Sequence, residues 1–453
     1  MNAKTAHCFP GISLAVPALV LVFLCAAVFP SQAFGAALSM DVWPENTTVL
    51  HNSDGTSNIQ IRIIAPEEIL IDDRPPLNLS LVLDRSGSMA DSGKISYVIK
   101  AAHMFVNRMG PEDILSIVTY DNRVRVPVSA RKVRNREVFH RAIDELYPEG
   151  RTYLSGGLEE GFRQVRRNFR RGYVNRVILL SDGLANVGVT NSHQLKKRTS
   201  TMYEDGISVS TFGMGLDFDE DLLSSMACSG GGTYHYISRP GDILAALGRE
   251  FQMASRTVAS GVRIIIRPLG GCRFESTPGH HWKMEKDTAV IRLGDLSAGE
   301  SRTLMARINV PTESVGALNV ADVSLRYQNS VTGNADRQDP GVIKLSVVGD
   351  PDVHRENLNR EVKGTNVVIE SSVMMNEAAR KVDEGDKDGA LSIIKKVLGS
   401  LESAPQSDAV KAEAQRVQDY SMDLERLEEM APTEQEEMQK EMKYKNYQEL
   451  YQQ

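Results

Sequence analysis

The sequence predicts an α/β protein. A doubly wound, mostly parallel sheet is inserted in or followed by an antiparallel β-sandwich, and a C-terminal α-helical region follows. From residue 77 to about residue 250, short β-branched apolar runs alternate with amphipathic segments of helix length, which indicates βαβ units. From residue 256 to 348, strand-like runs are separated by turn residues, which is typical of a sandwich. After residue 352 the pattern is helical to the end.

Residues 1–37 have the pattern of a signal peptide. Lys4 precedes an apolar run over residues 12–29, and the small residues of "SQAFGAA" follow, so we expect cleavage near Gly35 or Ala37. The alternative is an uncleaved membrane anchor, because the run is close to the ~20 residues that a spanning helix needs. We therefore expect an exported protein, either periplasmic or secreted to the cell surface.

The segment 38–76 alternates like strands over residues 38–64. We expect these strands to pack into the sandwich domain, residues 256–350, so that the α/β domain, residues 77–255, is inserted between β elements. Domain termini often lie close together, which makes such an insertion feasible.

The α/β domain opens with "LNLSLVLD" at 77–84, whose nearly continuous apolar character suits a strand covered on both faces. A helix is predicted over 94–109, because Ile95, Val98, Ala102, Phe105 and Val106 form one stripe. Further strands are predicted in "DILSIVTY", "RVRVPV", "NRVILLSDG", "GISVSTFGMG" and "GGTYHYI", with helices at 138–146 and 155–169 and between the remaining strands.

The region 351–453 is predicted to be an acidic helical tail. The stretch at 375–401 indicates two helices joined by a Gly-Asp turn. Residues 417–453 form a polar helix without a sustained heptad, and two interpretations remain open: a solvated tail or a partner-binding helix.

The net charge of −7 comes from the tail, since basic and acidic residues balance over 36–350. Nothing in this distribution indicates a nucleic-acid-binding protein. A basic run is interpreted mainly as the solvent-exposed face of a helix, with binding to anionic lipid or polysaccharide as the alternative. It consists of Arg163, Arg166, Arg167, Arg170, Arg171 and Arg176.

Removal of the leader leaves Cys228 and Cys272 in a compartment that permits disulfides. We favour two separate thiols, because the two residues fall in different predicted domains. The histidines of "PGHHW" at 278–282 are interpreted as part of a turn or loop rather than as metal ligands, because adjacent residues of a strand point to opposite faces.

Acidic and hydroxyl side chains follow the ends of two buried strands. Asp84, Ser86 and Ser88 lie after the first strand, Asp182 ends another, and Thr152 stands just before a helix. Ligands of an open parallel sheet bind at the carboxyl ends of its strands, so these side chains are expected to converge. Oxygen ligands without His or Cys favour Mg²⁺, with Mn²⁺ or Ca²⁺ as alternatives, and disfavour zinc. Such a set leaves one coordination position for an outside carboxylate.

The segments "DRSGSM", "GRTYLSGGL" and "LLSDG", in this order and within this α/β pattern, resemble the von Willebrand factor type A domain and its metal-ion-dependent adhesion site. The resemblance covers roughly residues 77–250 and implies a Rossmann-like sheet. It also implies direct coordination of Mg²⁺ by Ser86, Ser88 and Thr152, with Asp84 and Asp182 acting largely through water or hydrogen bonds. A protein partner's Asp or Glu would complete the shell.

One position departs from the family, which often has a small residue before the threonine. Here Arg151 and Tyr153 flank Thr152. They could bind the second oxygen of a carboxylate or an anionic sugar, or they could be rim residues that face solvent. The domain layout also resembles exported bacterial proteins related to inter-alpha-trypsin inhibitor heavy chains and calcium-activated chloride channel regulators.

These observations favour a non-enzymatic, Mg²⁺-dependent module for protein binding or cell adhesion. The sequence has no H-E-x-x-H, G-x-S-x-G or Walker-type loop, so the commonest hydrolase signatures are missing. Two alternatives remain: a metal-dependent hydrolase, in which the ion activates water, and an envelope scaffold that acts through its helical tail.

Overall fold

The computed structural model describes residues 37–67 and 74–451. The predicted signal segment lies almost entirely outside these residues. The described chain begins with three strands, β1 (Ser39–Pro44), β2 (Thr48–Leu50) and β3 (Thr56–Ile64). Within the described ranges, no helix combines the length and the apolar character needed to cross a bilayer.

The α/β domain has a six-stranded sheet in the order β6-β5-β4-β7-β8-β9, parallel except for the antiparallel β5–β6 pair. Its central strands are buried along their whole length, because helices cover both faces. The strands are β4 (Leu77–Asp84), β5 (Ile114–Tyr120), β6 (Val124–Lys132), β7 (Val174–Ser181), β8 (Ser208–Met214) and β9 (Gly231–Ile237). The helices are α1 (Lys94–Arg108), α2 (Glu137–Asp144), α3 (Leu154–Arg167), α4 (Ser192–Glu204), α5 (Glu220–Ser229) and α6 (Ile243–Ser255).

The apolar core of this domain has two parts, one on each face of the sheet. Helices α1, α2 and α6 pack on one face of the sheet, and α3, α4 and α5 pack on the other. The predicted stripe of α1 is confirmed: Val98, Ala102, Phe105 and Val106 are buried, and Ile95 packs at the border of the same cluster.

The strands that follow α6 complete the sandwich, and they show that the α/β domain is inserted. One sheet has the order β1-β3-β14-β11 and the other β12-β13-β10-β15-β16-β2, so the N-terminal strands take part in both. The strands are β10 (Thr257–Pro268), β11 (Arg273–Ser276), β12 (Trp282–Glu285), β13 (Thr288–Ser297), β14 (Ser301–Asn309), β15 (Gly316–Asn329) and β16 (Ala335–Val348).

The tail contains five helices within the described ranges: α7 (Pro351–Glu356), α8 (Arg360–Asp383), α9 (Lys387–Ser403), α10 (Asp408–Glu425) and α11 (Pro432–Tyr451). The predicted pair of helices corresponds to α8 and α9, which meet at Gly385 and the N-capping Asp386. The prediction of one helix from residue 417 onwards is wrong, because α10 ends at Glu425 and α11 begins at Pro432. The described part of this segment is not a solvated tail, because α11 packs against the chain's own α/β domain through Tyr447.

Two further predictions can be compared with the structure. Cys228 and Cys272 are separate thiols, as favoured from the sequence, and the histidines of "PGHHW" lie in a turn before β12. Arg176 was counted with the basic run, but it belongs to the predicted buried strand "NRVILLSDG" rather than to the exposed helix face. This residue lies in β7, is buried, and pairs with Glu250 and Asp295.

Candidate metal centre

Asp84 is the last residue of β4, and its carboxylate is buried. Its Oδ1 accepts a hydrogen bond from the backbone N–H of Ser86 at 2.8 Å, and its Oδ2 accepts one from Ser181 Oγ at 2.8 Å. Ser181 ends the neighbouring parallel strand β7. Asp84 therefore fixes the start of the loop that carries Ser86 and Ser88.

Asp182 follows β7 directly and is equally buried. Its Oδ1 accepts a hydrogen bond from Ser88 Oγ at 2.8 Å and lies 3.5 Å from Ser86 Oγ. The two serine hydroxyl oxygens are 3.1 Å apart. Two strands thus deliver Ser86, Ser88 and Asp182 to one edge of the sheet.

Thr152 reaches this edge on the loop before α3. The backbone N–H of Thr152 donates to Asn186 Oδ1 at 2.9 Å, and the N–H of Gly87 donates to the Gly150 carbonyl at 3.0 Å. These hydrogen bonds hold the loop that carries Thr152 against the loops that follow β4 and β7.

The hydroxyls of Ser88 and Thr152 face the same small space. A Cβ atom placed on Gly183 would lie 3.6 Å from each of their oxygens. The structure thus brings together all five residues predicted as the metal site: Asp84, Ser86, Ser88, Thr152 and Asp182.

Lys94 is an additional member of the site that the sequence did not indicate. Its ammonium donates to Asp182 Oδ2 at 2.8 Å, and both side chains are buried. Lys94 is the first residue of α1, and the preceding turn, which includes Ser92 and Gly93 at positive φ, leads the chain back to Asp182. The Asp182 carboxylate is therefore already paired with the ammonium group of Lys94.

The electrostatics of the site favour a further positive charge. Burial raises the pKa of the Asp84 carboxyl to about 6; the backbone hydrogen bond from Ser86 opposes this rise, and the nearby Asp182 carboxylate adds to it. A cation placed between the two carboxylates would stabilise the ionised form of Asp84.

The chemistry of the donor atoms fits a hard divalent cation. The set consists of three hydroxyls and two carboxylates, and oxygen ligands of this kind suit Mg²⁺ or Mn²⁺. Among the described residues, no protein group forms a hydrogen bond with the Thr152 hydroxyl, which leaves this oxygen available as a ligand.

Arg151 and Tyr153, predicted as rim residues, differ in their surroundings. Arg151 is exposed. The Tyr153 ring packs closely over Gly156 and Gly188, so much of the ring is buried within the rim. A role of either residue in partner binding stays a prediction.

Two exposed apolar side chains, which the sequence analysis did not single out, lie on the loops of the same edge. Tyr147 is 55% exposed in the loop before Thr152, and Leu184 is 60% exposed two residues after Asp182. The Tyr147 ring is stacked on the guanidinium of Arg85, which is 4.3 Å from the ring centroid and forms ion pairs with Asp121 and Glu149. These contacts hold Tyr147 in place on the rim, and the apolar groups of the rim face solvent.

A second cluster of acids does not make a comparable site. The carboxylates of Glu220, Asp221 and Asp383 lie together, but the Lys443 ammonium pairs with all three. This lysine already occupies the centre of the cluster.

Sequence reasoning missed Lys94, Ser181 and Asn186. Ser181 stands within the quoted segment "LLSDG", so its position beside Asp182 was a usable signal. Asn186 offered no such signal, because its contact depends on how two loops meet.

Comparison with known proteins assigns the α/β domain. The family model for the von Willebrand factor type A domain matches residues 78–246. A solved von Willebrand factor type A protein from Catenulispora acidiphila superposes with a TM-score of 0.73 at 15% identity, over 92% of this chain and 98% of that chain. This likeness concerns the fold.

Two relatives extend the comparison at the sequence level. The uncharacterized protein sll0103 of Synechocystis sp. is 27% identical over 360 residues, 75% of this chain and 82% of the relative. Inter-alpha-trypsin inhibitor heavy chain H2 of Mesocricetus auratus is 26% identical over 212 residues, 45% of this chain but 22% of the relative. The match, the fold and the arrangement of the site agree, and residues 78–246 form a von Willebrand factor type A domain.

Proposed function

We propose that this chain is an exported, Mg²⁺-dependent binding protein that captures a partner protein through an Asp or Glu side chain. Ser86, Ser88 and Thr152 would hold the ion directly, and Asp84 and Asp182 would act through water or hydrogen bonds. The bound ion would supply the positive charge that attracts the partner's carboxylate. The single observation that carries the proposal is the convergence of three hydroxyls and two buried carboxylates at the carboxyl edge of the sheet.

The charge of the site supports capture of an anion. Lys94 neutralises Asp182, which leaves the negative charge of Asp84 to offset a divalent ion. The occupied site would therefore keep a net positive charge, and the low dielectric around buried groups strengthens its attraction for a carboxylate.

The rim supports a protein as the source of that carboxylate. Tyr147 and Leu184 offer apolar area beside the site, and Arg151 offers an exposed cation. Aromatic residues and arginine are enriched in protein interfaces. Domains of this family typically mediate protein interactions, and the match to an inter-alpha-trypsin inhibitor heavy chain is consistent with such a role.

The proposal assigns no catalysis to the site and places the protein in the periplasm or at the cell surface, on the strength of residues 1–37. The alternative of a scaffold that acts through its tail is less favoured, because the inner face of α11 is already covered by the chain's own β9.

The proposal can be tested with the full exported chain immobilised and exposed to envelope and secreted proteins, in Mg²⁺ or in chelator. Asp84→Ala removes a buried carboxylate of the site, and Asp91→Ala, on the same loop but exposed, is the matched control. We expect wild type and Asp91→Ala to retain the same proteins in Mg²⁺, and chelator or Asp84→Ala to release them. Retention of the same proteins by folded Asp84→Ala in chelator would refute the proposal.

A further inference from the structure

A cleft of about 300 Å³ lies between the type A domain and the sandwich, away from the metal centre. Helices α4 and α5 form one wall, and β12 and β13 form the other. None of the five predicted metal ligands lines this cleft.

The charged side chains that line the cleft are all basic. Lys196 and Lys197 project from α4, and Lys283 and Arg292 come from the sandwich, whereas no carboxylate contributes to the lining. Arg292 pairs with Glu204 and Lys283 with Glu285, but neither Lys196 nor Lys197 forms an ion pair with any residue in the described ranges. The cleft therefore holds positive charge that the protein itself does not balance.

The positive charge of the cleft also acts on the pKa of His281. Burial, together with the charges of Lys196 and Arg292, lowers the pKa of His281 to about 4. Burial also lowers the pKa of Lys196. Neighbouring like charges thus add to the effect of burial at His281, whereas the pKa of Lys196 is lowered by burial.

Two unpartnered polar groups border the same region. The Ser229 hydroxyl lines the cleft, is buried, and has no hydrogen-bond partner. A small enclosed cavity of about 30 Å³ adjoins the cleft and shares Cys228, His281 and Arg292 as lining. There the buried Arg302 has two guanidinium nitrogens, Nε and Nη1, without partners. Buried polar groups in proteins are rarely left unpaired, so these donors indicate a missing acceptor.

The remaining lining is apolar. The Trp282 ring and Val290 form part of the wall that faces α4. A ligand whose acid group binds the donors of the cleft could thus also pack a ring or a hydrocarbon group against Trp282.

From the cavity, its unbalanced cations and its unpartnered hydroxyl, we propose that this cleft binds a small organic anion, a phosphate or carboxylate carried on a ring-shaped body. The acid group lies near Lys196, Arg292 and Ser229, and the body packs on Trp282. Because the ligand touches both domains, it also holds the type A domain against the sandwich.

Tryptophan fluorescence can report this binding directly. The chain has two tryptophans, Trp43 on β1 and Trp282 in the cleft, so Trp43→Phe leaves Trp282 as the sole reporter. The full chain in this background is titrated with glucose 6-phosphate, glucuronate and glucose in the presence of chelator. The chelator separates the result from the metal-dependent function proposed above.

We expect saturable changes with the acidic sugars at affinities at least about tenfold tighter than with glucose. The tighter of the two acids identifies the preferred acid group. No saturable change with either acid up to about 10 mM, which is weaker than ordinary ligand binding, would overturn the proposal, as would equal binding of glucose.

Substitutions in the cleft test whether the ligand binds there. Lys196→Glu reverses an unbalanced charge and is expected to lower the affinity at least about tenfold, whereas Lys395→Glu, on the exposed side of α9, is expected to leave it unchanged. Ser229→Ala is expected to lower it about threefold to tenfold without lowering the Tm of the ligand-free protein, because its hydroxyl has no protein partner to lose. Equal affinity in Lys196→Glu and wild type would contradict the assignment.

Discussion

Lys94 contributes a positive charge beside the proposed metal position. Its ammonium is 2.8 Å from Asp182 Oδ2 in a buried environment, so it reduces the attraction of the site for any cation. With a divalent ion bound as proposed, the same pairing would keep the site positive overall and would favour an incoming carboxylate. In the proposed function, Lys94 would therefore lower the affinity of the site for the metal ion and raise its affinity for the partner's carboxylate.

Lys94→Gln is therefore expected to tighten Mg²⁺ binding. At an effective dielectric near 20, removal of one charge a few ångströms from the ion changes the affinity by about tenfold or more. Calorimetric titration of the full chain with Mg²⁺ measures this change, and Lys100→Gln, exposed on the same helix, is the control. Unchanged or weaker Mg²⁺ binding in Lys94→Gln would contradict this role of the lysine.

Motif spacing predicted that the five side chains converge at one edge of the sheet, because each follows a recognisable strand or precedes a helix; their role as metal ligands stays a prediction. Lys94 escaped prediction because its contact depends on the left-handed backbone of Ser92 and Gly93, which a polarity pattern does not show. Arg176 was counted with the basic run because the run of arginines continues from the exposed end of α3 into buried β7.

Helix α11 covers the edge of the parallel sheet. The Tyr447 hydroxyl accepts a hydrogen bond from the backbone N–H of Tyr234 on β9 at 2.8 Å, and the two rings pack edge to face. The Lys440 ammonium donates to the Phe218 carbonyl at 2.9 Å. An uncovered edge strand is a template for pairing with other chains, so the tail protects this edge.

Tyr447→Ala is expected to lower the free energy of unfolding by about 3 kcal/mol, which is typical for loss of a buried aromatic side chain. Urea unfolding measures the loss, and Lys445→Ala, exposed on the same helix, is expected to unfold like wild type. If both variants had wild-type stability, α11 would not be a structural part of the domain.

The helices of the tail were predictable, but the docking of α11 was not recognised. Its high content of charged and amide residues favoured the interpretation as a solvated or partner-binding helix. The spacing of Tyr444, Tyr447 and Tyr451 places three aromatic rings on one face, and this was the available signal.

A buried network of ion pairs joins the α/β domain to the sandwich. Arg176 on β7 pairs with Glu250 on α6 at 2.9 Å and with Asp295 on β13 of the sandwich at 2.7 Å. Burial alone would raise the pKa of Glu250, but the charge of Arg176 and hydrogen bonds from His235 and Ser210 outweigh it and lower the pKa to about 2. The ionised form of Glu250 therefore stabilises the folded protein.

This lowered pKa predicts part of the acid sensitivity of the protein. The contribution of Glu250 is complete above its ordinary pKa of 4.5 and is lost as the pH falls towards 2, at most about 3 kcal/mol. Glu250→Gln removes the titrating group, so its free energy of unfolding should fall less than that of wild type between about pH 6 and pH 3. Urea unfolding at both pH values tests this, and equal losses in the two proteins would contradict it.

For the whole molecule, the insertion of the α/β domain between sandwich strands was predictable from the strand-like segments on either side of it. The pairing of those strands was not. Strand β3 pairs with β14, for example Ile63 opposite Arg302, and the intervening domain gives no local cue for this register.

The central claim, a metal ion held at the strand ends, is tested most directly by diffraction from crystals of the full chain soaked in Mn²⁺. Anomalous difference density locates the ion without reference to any partner. The predicted result is a peak bounded by the hydroxyl oxygens of Ser86, Ser88 and Thr152. A peak only at the cluster of Glu220, Asp221 and Asp383, or no peak at saturating Mn²⁺, would contradict the account.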